Sequence, residues 1–171
     1  MARAADIDAQ LWDACFPPPL EGRWWYETLD ASGLEAQFQF LYALVDKDGD
    51  AVAIAPAFLM DLPIGLVVPP ALAPAFALIG RIAPAMNYQR TLFVGSPCAD
   101  QGTVGALPGT ERGAVLDALQ TALRLKANEL GASMLVWKDF PAADSEHLAA
   151  LARGAGLFPA VSFPGTAVAL P

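Results

Sequence analysis

Two apolar runs separated by a short charged turn constrain the fold of this chain more than any other feature of its sequence. The first run, Phe38–Val45, is rich in aromatic and β-branched residues, and the second, Ala51–Met60, is almost entirely apolar. The segment between them reads DKDGD, and an Asp-Gly pair between two apolar runs is the strongest short-range signal for a β-hairpin. We therefore expect an antiparallel strand pair. Pro56 has no N–H to donate, so it predicts an edge position or a bulge for the second strand.

Helical patterns flank this hairpin on both sides. The longest helix is predicted at Glu111–Leu130, with Thr110 as its cap and leucines at helical spacing on one face. Shorter helices are predicted at Asp6–Phe16, Trp24–Ala31, Ala73–Ile82 and Ser145–Arg153, with Asp6 capping the first and Gly154 stopping the last. Further strands are predicted at Thr91–Gly95, Ser133–Trp137, Leu157–Phe163 and Thr166–Leu170. This alternation predicts an α/β domain with a mixed sheet.

The composition narrows the classes of function. The length of 171 residues suits a single domain, and 55% apolar with only 16% charged residues excludes an intrinsically disordered chain. Ten basic residues against 18 acidic residues give a formal charge of −8, and an acidic chain repels the phosphates of nucleic acids. The apolar surplus predicts an exposed apolar patch, either around Leu62–Gly80 or on the strand Thr166–Leu170.

The segment Leu62–Gly80 carries no charge but contains four prolines. Each interior proline costs a helix roughly 3 kcal/mol, so the segment is a poor candidate for a membrane span, and we expect no transmembrane segment. One interpretation is a buried or half-buried loop with a short helix. The other is an apolar lip for an acyl chain, a lipid or a neighbouring domain.

The cysteines and the single histidine limit the chemistry. Cys15 and Cys98 do not form a disulfide framework, and they suit a reducing, cytoplasmic setting. A chain whose only histidine is His147 lacks the residues for a histidine-based triad or an ordinary zinc site, and no metal is expected. Cys98 follows a predicted strand end, where a nucleophile could lie, although a structural thiol is the other interpretation.

Polar residues follow two of the predicted strands. Asp100 comes a few residues after the strand TLFVG, and Lys138 and Asp139 come directly after the strand SMLVW. Ligands of α/β sheets commonly bind at the carboxyl ends of strands. If the two strands are neighbours, these three residues lie together at the same edge of the sheet, at the mouth of one binding site. The alternative is a local ion pair that holds a loop in place.

The loop before the longest helix is rich in glycine. Gly102, Gly105 and Gly109 precede the predicted helix start. Glycines let backbone amides approach an anion, and the helix dipole favours an anion at that end. The loop is therefore either an anion-binding turn or a plain connection between a strand and a helix.

Four segments carry a resemblance to a known family: WWYETLDASG, FLYALVDKDGDAVAIAPAFLMDLPI, TLFVGSPCADQGTVG and ASMLVWKDFP. With their order of elements, the chain resembles the FemAB-like proteins of the GNAT acyltransferase superfamily, some of which are linked to peptidoglycan biosynthesis or recognition. The resemblance implies a GNAT-like α/β fold with a mixed central sheet flanked by helices. It also implies transfer of an acyl or aminoacyl group to an amine. Family members commonly contain two tandem halves, so residues 1–171 are expected to form one GNAT-like domain, the first half of a two-domain protein.

The resemblance also implies roles for particular residues. In the acyl-CoA loop pattern of GNAT enzymes, Gln101 and Ala106 match in position, whereas a glycine, Gly105, stands one position late. Acyl transfer to an amine needs a proton acceptor, and the catalytic candidates in this chain are Asp139 and Asp100, as that acceptor or as the carboxylate that orients the amine. The implied substrate contacts are Lys138, Cys98 and Tyr88, and the implied acyl-CoA contacts are Gln101, Gly102 and Gly105.

The expected partners follow from the same resemblance. They are a small-molecule amine or peptidoglycan-type substrate, and a second GNAT-like domain or a homo-oligomer joined through an apolar face. Two other functions stay open at this point. One is a non-catalytic domain that packs on a second half and shapes a substrate groove. The other is a thiol enzyme that uses Cys98.

Overall fold

The computed structural model describes residues 3–66, 70–99, 101–141 and 144–160. The strands of this described part are Gln39–Lys47 (β1), Asp50–Pro63 (β2), Tyr88–Val94 (β3), Gly105–Ala106 (β4) and Met134–Trp137 (β5). Its helices are Ala9–Cys15 (α1), Arg23–Asp30 (α2), Ala73–Ile82 (α3), Arg112–Glu129 (α4) and Ser145–Ala155 (α5). Short 3₁₀ turns occur at Ala4–Asp6, Leu34–Ala36, Ile64–Leu66, Pro70–Leu72 and Pro84–Asn87.

The strands form one mixed sheet in the order β1-β2-β3-β5, with β4 also paired to β2. The pairs of β2 with β1, β3 and β4 are antiparallel, whereas β3 and β5 are parallel. Parallel neighbours need a long crossover connection, and α4 lies in that connection. The predicted α/β class, with a mixed central sheet flanked by helices, is confirmed.

The predicted hairpin is confirmed in its strands and in its turn. β1 and β2 pair antiparallel from Gln39 opposite Leu59 to Lys47 opposite Asp50. Asp48 and Gly49 between them have φ values of 57° and 97°. Positive φ at both central residues is the type I′ geometry, whose twist matches that of the flanking strands. The Asp-Gly pair therefore sets the register of the hairpin.

The predicted edge position of Pro56 is wrong, because β2 lies in the middle of the sheet. On one side β2 pairs with β1, where Pro56 stands opposite Tyr42. On the other side β4 pairs with residues 53–54 and β3 pairs with residues 57–63. The Pro56 carbonyl accepts a hydrogen bond from the Gly95 N–H at 2.8 Å, so the missing N–H faces this second side. The proline is tolerated there because it falls in the gap between two partner strands.

The two faces of β2 pack against different helices. Ala53, Ala55, Ala57 and Leu59 lie in a core cluster with the buried face of α4. Ile54 lies on the opposite face, in a second cluster with α1 and α2. Side chains of a strand alternate between its two faces, so an almost wholly apolar strand is suited to being covered on both sides. The described domain therefore has helices on both faces of its sheet.

Two helix starts differ from the sequence prediction. The side chain of Asp8, not Asp6, caps α1 by accepting from the Leu11 N–H at 3.0 Å. At α4 the capping side chain is that of Glu111, not Thr110. In both cases a neighbouring residue within one or two positions carries an equally suitable oxygen. The backbone conformation decides which of them faces the helix N–H groups.

Three further differences concern the second half of the chain. Helix α5 continues through Gly154 to Ala155 and ends at Gly156, whose φ of 70° is the left-handed cap conformation. The strand β4 was not predicted, since two residues carry no periodicity. Residues 157–160 have no regular structure, and the rest of the tail, with the predicted strand Thr166–Leu170, lies outside the described residues.

The apolar segment after β2 forms the predicted short helix, α3, with the predicted bounds. None of the described helices is both long enough and apolar enough to span a bilayer. The predicted exposed apolar patch is confirmed in this region. Five large apolar side chains from 72 to 88 are half-exposed or more, and we call them the α3 patch: Leu72, Leu78, Ile82, Met86 and Tyr88.

Candidate functional site

The parallel pair of β3 and β5 creates a mouth at one edge of the sheet. Val94 at the end of β3 stands opposite Trp137 at the end of β5, and the Lys138 N–H donates to the Val94 carbonyl at 3.1 Å. The sequence did not determine whether these two strands are neighbours, and the structure shows that they pair directly. Parallel strands place their carboxyl ends at the same edge, where ligands of such sheets bind. We define the β3–β5 mouth by the residues that follow the two strands: Ser96, Cys98, Lys138 and Asp139.

Lys138 and Asp139 form an ion pair within the mouth. The Lys138 Nζ lies 2.5 Å from Asp139 Oδ2 and donates to the Ala99 carbonyl at 3.5 Å, which ties the β5 end to the loop after β3. Both side chains are about a quarter to a third exposed, at 26% and 32%. Asp139 has a φ of 53°, a backbone conformation uncommon outside glycine. Lys138 and Asp139 thus form the local ion pair and also lie at the mouth, whereas Asp100, the third residue of the predicted cluster, lies outside the described residues.

Trp25 of α2 reaches the mouth from the other side. Its Nε1–H donates to Ser96 Oγ at 3.3 Å, and the same oxygen accepts from the Cys98 N–H at 3.4 Å. Ser96 is 3% exposed, so its hydroxyl fixes the loop after β3 to the helix. Neither Trp25 nor Ser96 is among the site residues predicted from the sequence. The tandem tryptophans at the start of α2 were visible, but their partner lies 71 residues away in the sequence.

An aromatic surface continues from the mouth along the sheet. The rings of Phe58 and Phe93 stack with centroids 4.8 Å apart and an interplanar angle of 7°, and Phe38 meets Phe58 edge-on at 5.6 Å. Phe93 is partly exposed and lies one residue before the end of β3. Phe58 is only 2% exposed, so Phe93 and Phe38 are the two of these three rings that can hold the apolar part of a substrate next to the polar mouth.

The glycine loop before α4 is folded against the mouth. The Gly102 N–H donates to the Asp139 carbonyl at 3.0 Å. A Cβ at Gly102 would overlap the Lys138 carbonyl oxygen, so this position requires glycine. Gly105 belongs to β4 and lies against Cys15 and Phe16 at the end of α1. The glycines therefore serve close packing between chain segments.

The N-terminus of α4 holds a carboxylate of the chain itself. Glu111 accepts hydrogen bonds from the Ala114 N–H at 2.5 Å and the Gly113 N–H at 2.9 Å. These two bonds, the larger effect from Ala114, hold the pKa of Glu111 below its usual value. A pyrophosphate at a helix N-terminus needs the same amides. As folded here, the loop and the start of α4 do not fit the pyrophosphate of acyl-CoA.

The remaining predicted site residues are spread over the molecule. Tyr88 is the first residue of β3 and the mouth lies at the other end of this strand. The rise per residue of a strand places Tyr88 about 20 Å from Val94. Tyr88 belongs to the α3 patch instead. Gln101 is exposed beside Gly102, and Cys98 is an exposed free thiol in the mouth. Asp100 lies outside the described residues. The structure thus brings Cys98, Lys138 and Asp139 together and separates Tyr88 from them.

A groove lies away from the mouth. It is a half-open groove of about 460 Å³ between α4 and α5, and it contains none of the predicted site residues. Its lining includes Asp117, Arg124 and Asn128 of α4. Within the described ranges, no three His, Cys, Asp or Glu side chains are placed to hold a metal ion.

Comparison with known proteins yields similarity in structure alone. No protein-family model matches the chain, and no curated protein matches it in sequence. The chain is similar to the tetramutant of the BH1408 protein from Bacillus halodurans, with a TM-score of 0.52, 10% identity, and coverage of 88% of this chain and 76% of that one.

Two further solved structures are similar at lower TM-scores. A ribosomal-protein-alanine N-acetyltransferase from Brucella melitensis biovar Abortus 2308 has a TM-score of 0.48 and 17% identity, with 95% and 90% of the two chains covered. An aminoglycoside antibiotic 6′-N-acetyltransferase from Acinetobacter haemolyticus has a TM-score of 0.45 and 14% identity, with 84% and 79% covered. Similarity at these identities concerns the fold alone.

Proposed function

We propose that this chain is a GNAT-like N-acyltransferase domain, and more narrowly the first half of a FemAB-like enzyme, whose β3–β5 mouth holds the amine that receives the acyl group. One observation carries the proposal. The parallel pairing of β3 and β5 places the Lys138–Asp139 ion pair, the Cys98 loop and the partly exposed Phe93 at one edge of the sheet. A charged pair beside an apolar surface suits an amine on a partly apolar substrate.

The ion pair is suited to exchange with a substrate amine. An incoming ammonium can replace the Lys138 ammonium on the Asp139 carboxylate at little cost, because one cation–carboxylate contact replaces another. Lys138 is then free to hold an anionic group of the substrate or the acyl donor. The half-buried position of both side chains makes these contacts stronger than on an open surface.

The chemistry of this step is nucleophilic substitution at an acyl carbon. The bound ammonium first loses one proton to water, because only the free amine has the lone pair that attacks. The amine nitrogen then forms a C–N bond to the carbonyl carbon of an activated ester or thioester, and the bond from that carbon to the leaving oxygen or sulfur breaks with its electron pair. The second proton, lost by the nitrogen as the new bond forms, passes to Asp139 or to water. We assign no step to acyl-CoA in this chain, because Glu111 occupies the start of α4. In the FemAB-like interpretation, the second half brings the donor.

Binding of a free amine tests the proposal directly. The probe is a peptidoglycan-type pentapeptide with a blocked N-terminus, N-acetyl-L-Ala-D-Glu-L-Lys-D-Ala-D-Ala, compared by calorimetry or NMR with the same peptide acetylated also on its lysine Nε. We expect the free amine to bind at least about ten-fold more tightly, a difference of about 1.4 kcal/mol. Asp139→Asn should remove this preference. The control Asp117→Asn, in the α4–α5 groove, should retain it.

The proposal fails if both peptides bind equally, or if Asp139→Asn leaves the preference unchanged. A second measurement addresses the donor. A ligand present at 100 times its Kd adds about 2.7 kcal/mol to the stability of the folded state, which is easily seen as a rise in Tm. We expect no such rise with acetyl-CoA at millimolar concentration. A clear rise would place the donor on this chain.

The second candidate function is the non-catalytic domain that packs on a partner half and shapes its substrate groove. The closure of the α4 N-terminus by Glu111 favours it, since the amides of Gly113 and Ala114 are then not free for the pyrophosphate of acyl-CoA. It predicts that neither peptide binds through Asp139 and that the isolated chain transfers no acyl group. Binding through Asp139 decides against it.

A further inference from the structure

Helix α3 is apolar around its whole circumference, with Arg81 as its only charged residue. A helix of this kind in a folded protein is normally covered on most sides. Among the described residues, however, α3 packs mainly against the 3₁₀ turns on either side of it in the sequence, with Gly80 against the side chain of Asn87. No described side chain of α3 belongs to either core cluster. Its outer side lacks a cover within the described part of the chain.

The uncovered side of α3 forms a regular stripe. Ala75, Leu78 and Ile82 are exposed at spacings of three and four residues, which places them on one face of the helix. Leu78 is 60% exposed and Ile82 is 83% exposed. Leu72 precedes this stripe, and Met86 and Tyr88 follow it, so the α3 patch is built from consecutive, mutually packed elements.

The charges around the patch restrict what can cover it. From Leu62 to Ala99 the sequence contains no acidic residue, although the whole chain has a formal charge of −8. The only basic residues there are Arg81 and Arg90, and Arg90 is paired with Asp61 at the border of the patch. An anionic bilayer attracts basic segments and repels an acidic protein, so it does not fit. Two acidic chains repel each other less where they meet through a segment without carboxylates, as Leu62–Ala99 is.

We propose that the α3 patch is the contact surface of a homodimer, in which the α3 helices of two copies pack against each other around a two-fold axis near Leu78. In an antiparallel arrangement, the large side chain of Ile82 on one copy packs over the small side chain of Ala75 on the other copy. The stripe on one copy is therefore complementary in shape to the same stripe on its partner. This proposal does not depend on the acyltransferase function.

The exposed area of the α3 patch determines how tightly the dimer is expected to bind. Its five side chains expose on the order of 500 Å², which is near the upper range for a monomeric protein. Two copies would bury about 1,000 Å², at the lower end of specific interfaces. We therefore expect a reversible dimer with a Kd on the order of 10–100 µM.

Sedimentation velocity over a concentration series from about 5 to 500 µM tests the dimer. The wild-type chain should shift from monomer to dimer across this range. Leu78→Glu and Ile82→Glu should each remain monomeric, because each places a carboxylate in the apolar contact. Leu125→Glu is the matched control, since Leu125 on α4 is 61% exposed and lies outside the patch. This variant should dimerise like the wild type, and all variants should keep the wild-type circular dichroism spectrum.

A charge-swap experiment tests the two-fold geometry. Leu78→Glu and Leu78→Lys should each be monomeric, whereas an equal mixture should form a heterodimer if the two Leu78 positions face each other. A wild-type chain that stays monomeric at 500 µM overturns the proposal, as does dimerisation of Leu78→Glu. Co-sedimentation of the wild type with neutral phosphatidylcholine vesicles, lost in Ile82→Glu, would instead assign the patch to a membrane surface.

Discussion

At the scale of single residues, Gly102 shows how closely the loop before α4 meets the end of β5. Its N–H donates to the Asp139 carbonyl, and any Cβ would overlap the Lys138 carbonyl oxygen. Gly102→Ala should lower the free energy of unfolding by about 2–4 kcal/mol, because backbone has to move to make room. Gly154→Ala is the control, since its Cβ would meet open space within α5. It should be neutral or raise the stability by about 0.5–1 kcal/mol. Denaturation in urea measures both, and equal effects would contradict the close contact.

The two cysteines provide a second prediction at this scale. Cys98 is exposed, whereas Cys15 is 4% exposed, and its burial raises the pKa of its thiol to about 11. The thiolate is the reactive form, so Cys15 should be protected in the folded protein. A thiol reagent at pH 8 should modify one cysteine quickly and the second only after unfolding. In Cys98→Ser the fast reaction should disappear. A fast reaction of two thiols in the native wild type would contradict the buried position of Cys15.

At the scale of elements, two ion pairs of similar length differ in what they connect. Arg112 Nε lies 2.7 Å from Asp144 Oδ1, and its Nη1 donates to the Val104 carbonyl, so it joins the start of α4, the start of α5 and the loop before α4. Arg90 and Asp61 join two adjacent strands at the surface, with both side chains about half exposed.

Removing the first carboxylate should therefore cost more than removing the second. Asp144→Ala leaves the partly buried Arg112 without its partner, and we expect a loss of about 1–3 kcal/mol. Asp61→Ala should cost about 0–1 kcal/mol, the usual value for an exposed pair. Urea denaturation of the two variants measures the difference. Equal losses would show that Arg112 does not depend on Asp144 for its stability in the fold.

At the scale of the whole molecule, buried tyrosine hydroxyls and a buried thiol make the free energy of unfolding depend on pH in the alkaline range. Burial is the largest cause that raises the pKa values of Tyr26, Tyr42 and Cys15 above their ordinary values. Tyr42 also donates to Asp30, which favours its protonated form. The unfolded chain therefore loses these protons at lower pH than the folded chain does. Because the folded state then binds more protons, the free energy of unfolding must fall as pH rises.

The expected window begins near pH 9 with Cys15 and continues above pH 10 with the tyrosines. Urea denaturation at pH 7, 9, 10 and 11 should show a decreasing free energy of unfolding above pH 9. Cys15→Ala should flatten the curve between pH 9 and about 11, and Tyr42→Phe should flatten it above pH 10. A wild-type curve that stays level from pH 7 to 11 would contradict the buried environment of these groups.

What could be predicted from the sequence depends on local patterns. The hairpin followed from an Asp-Gly turn between two apolar runs, and α3 followed from a short apolar segment bounded by prolines. These elements are specified by neighbours in the chain, through turn conformation and helical spacing. The predicted capping residue of α4, Thr110, was wrong, because the neighbouring Glu111 also carries a suitable oxygen. The position at which a helix begins can thus be predicted more readily than the side chain that caps it.

The sequence by itself determined the α/β class, the hairpin and its turn, the helices and the acidic, apolar character of the chain. The tertiary structure decided that Pro56 lies in a central strand, that β3 and β5 are neighbours and that Trp25 bonds to Ser96. It also decided that Glu111 occupies the start of α4 and that no other described segment covers one side of α3. Each of these depends on which distant segments pack together. A local pattern does not encode that choice, because it is set by the burial of apolar faces across the whole domain.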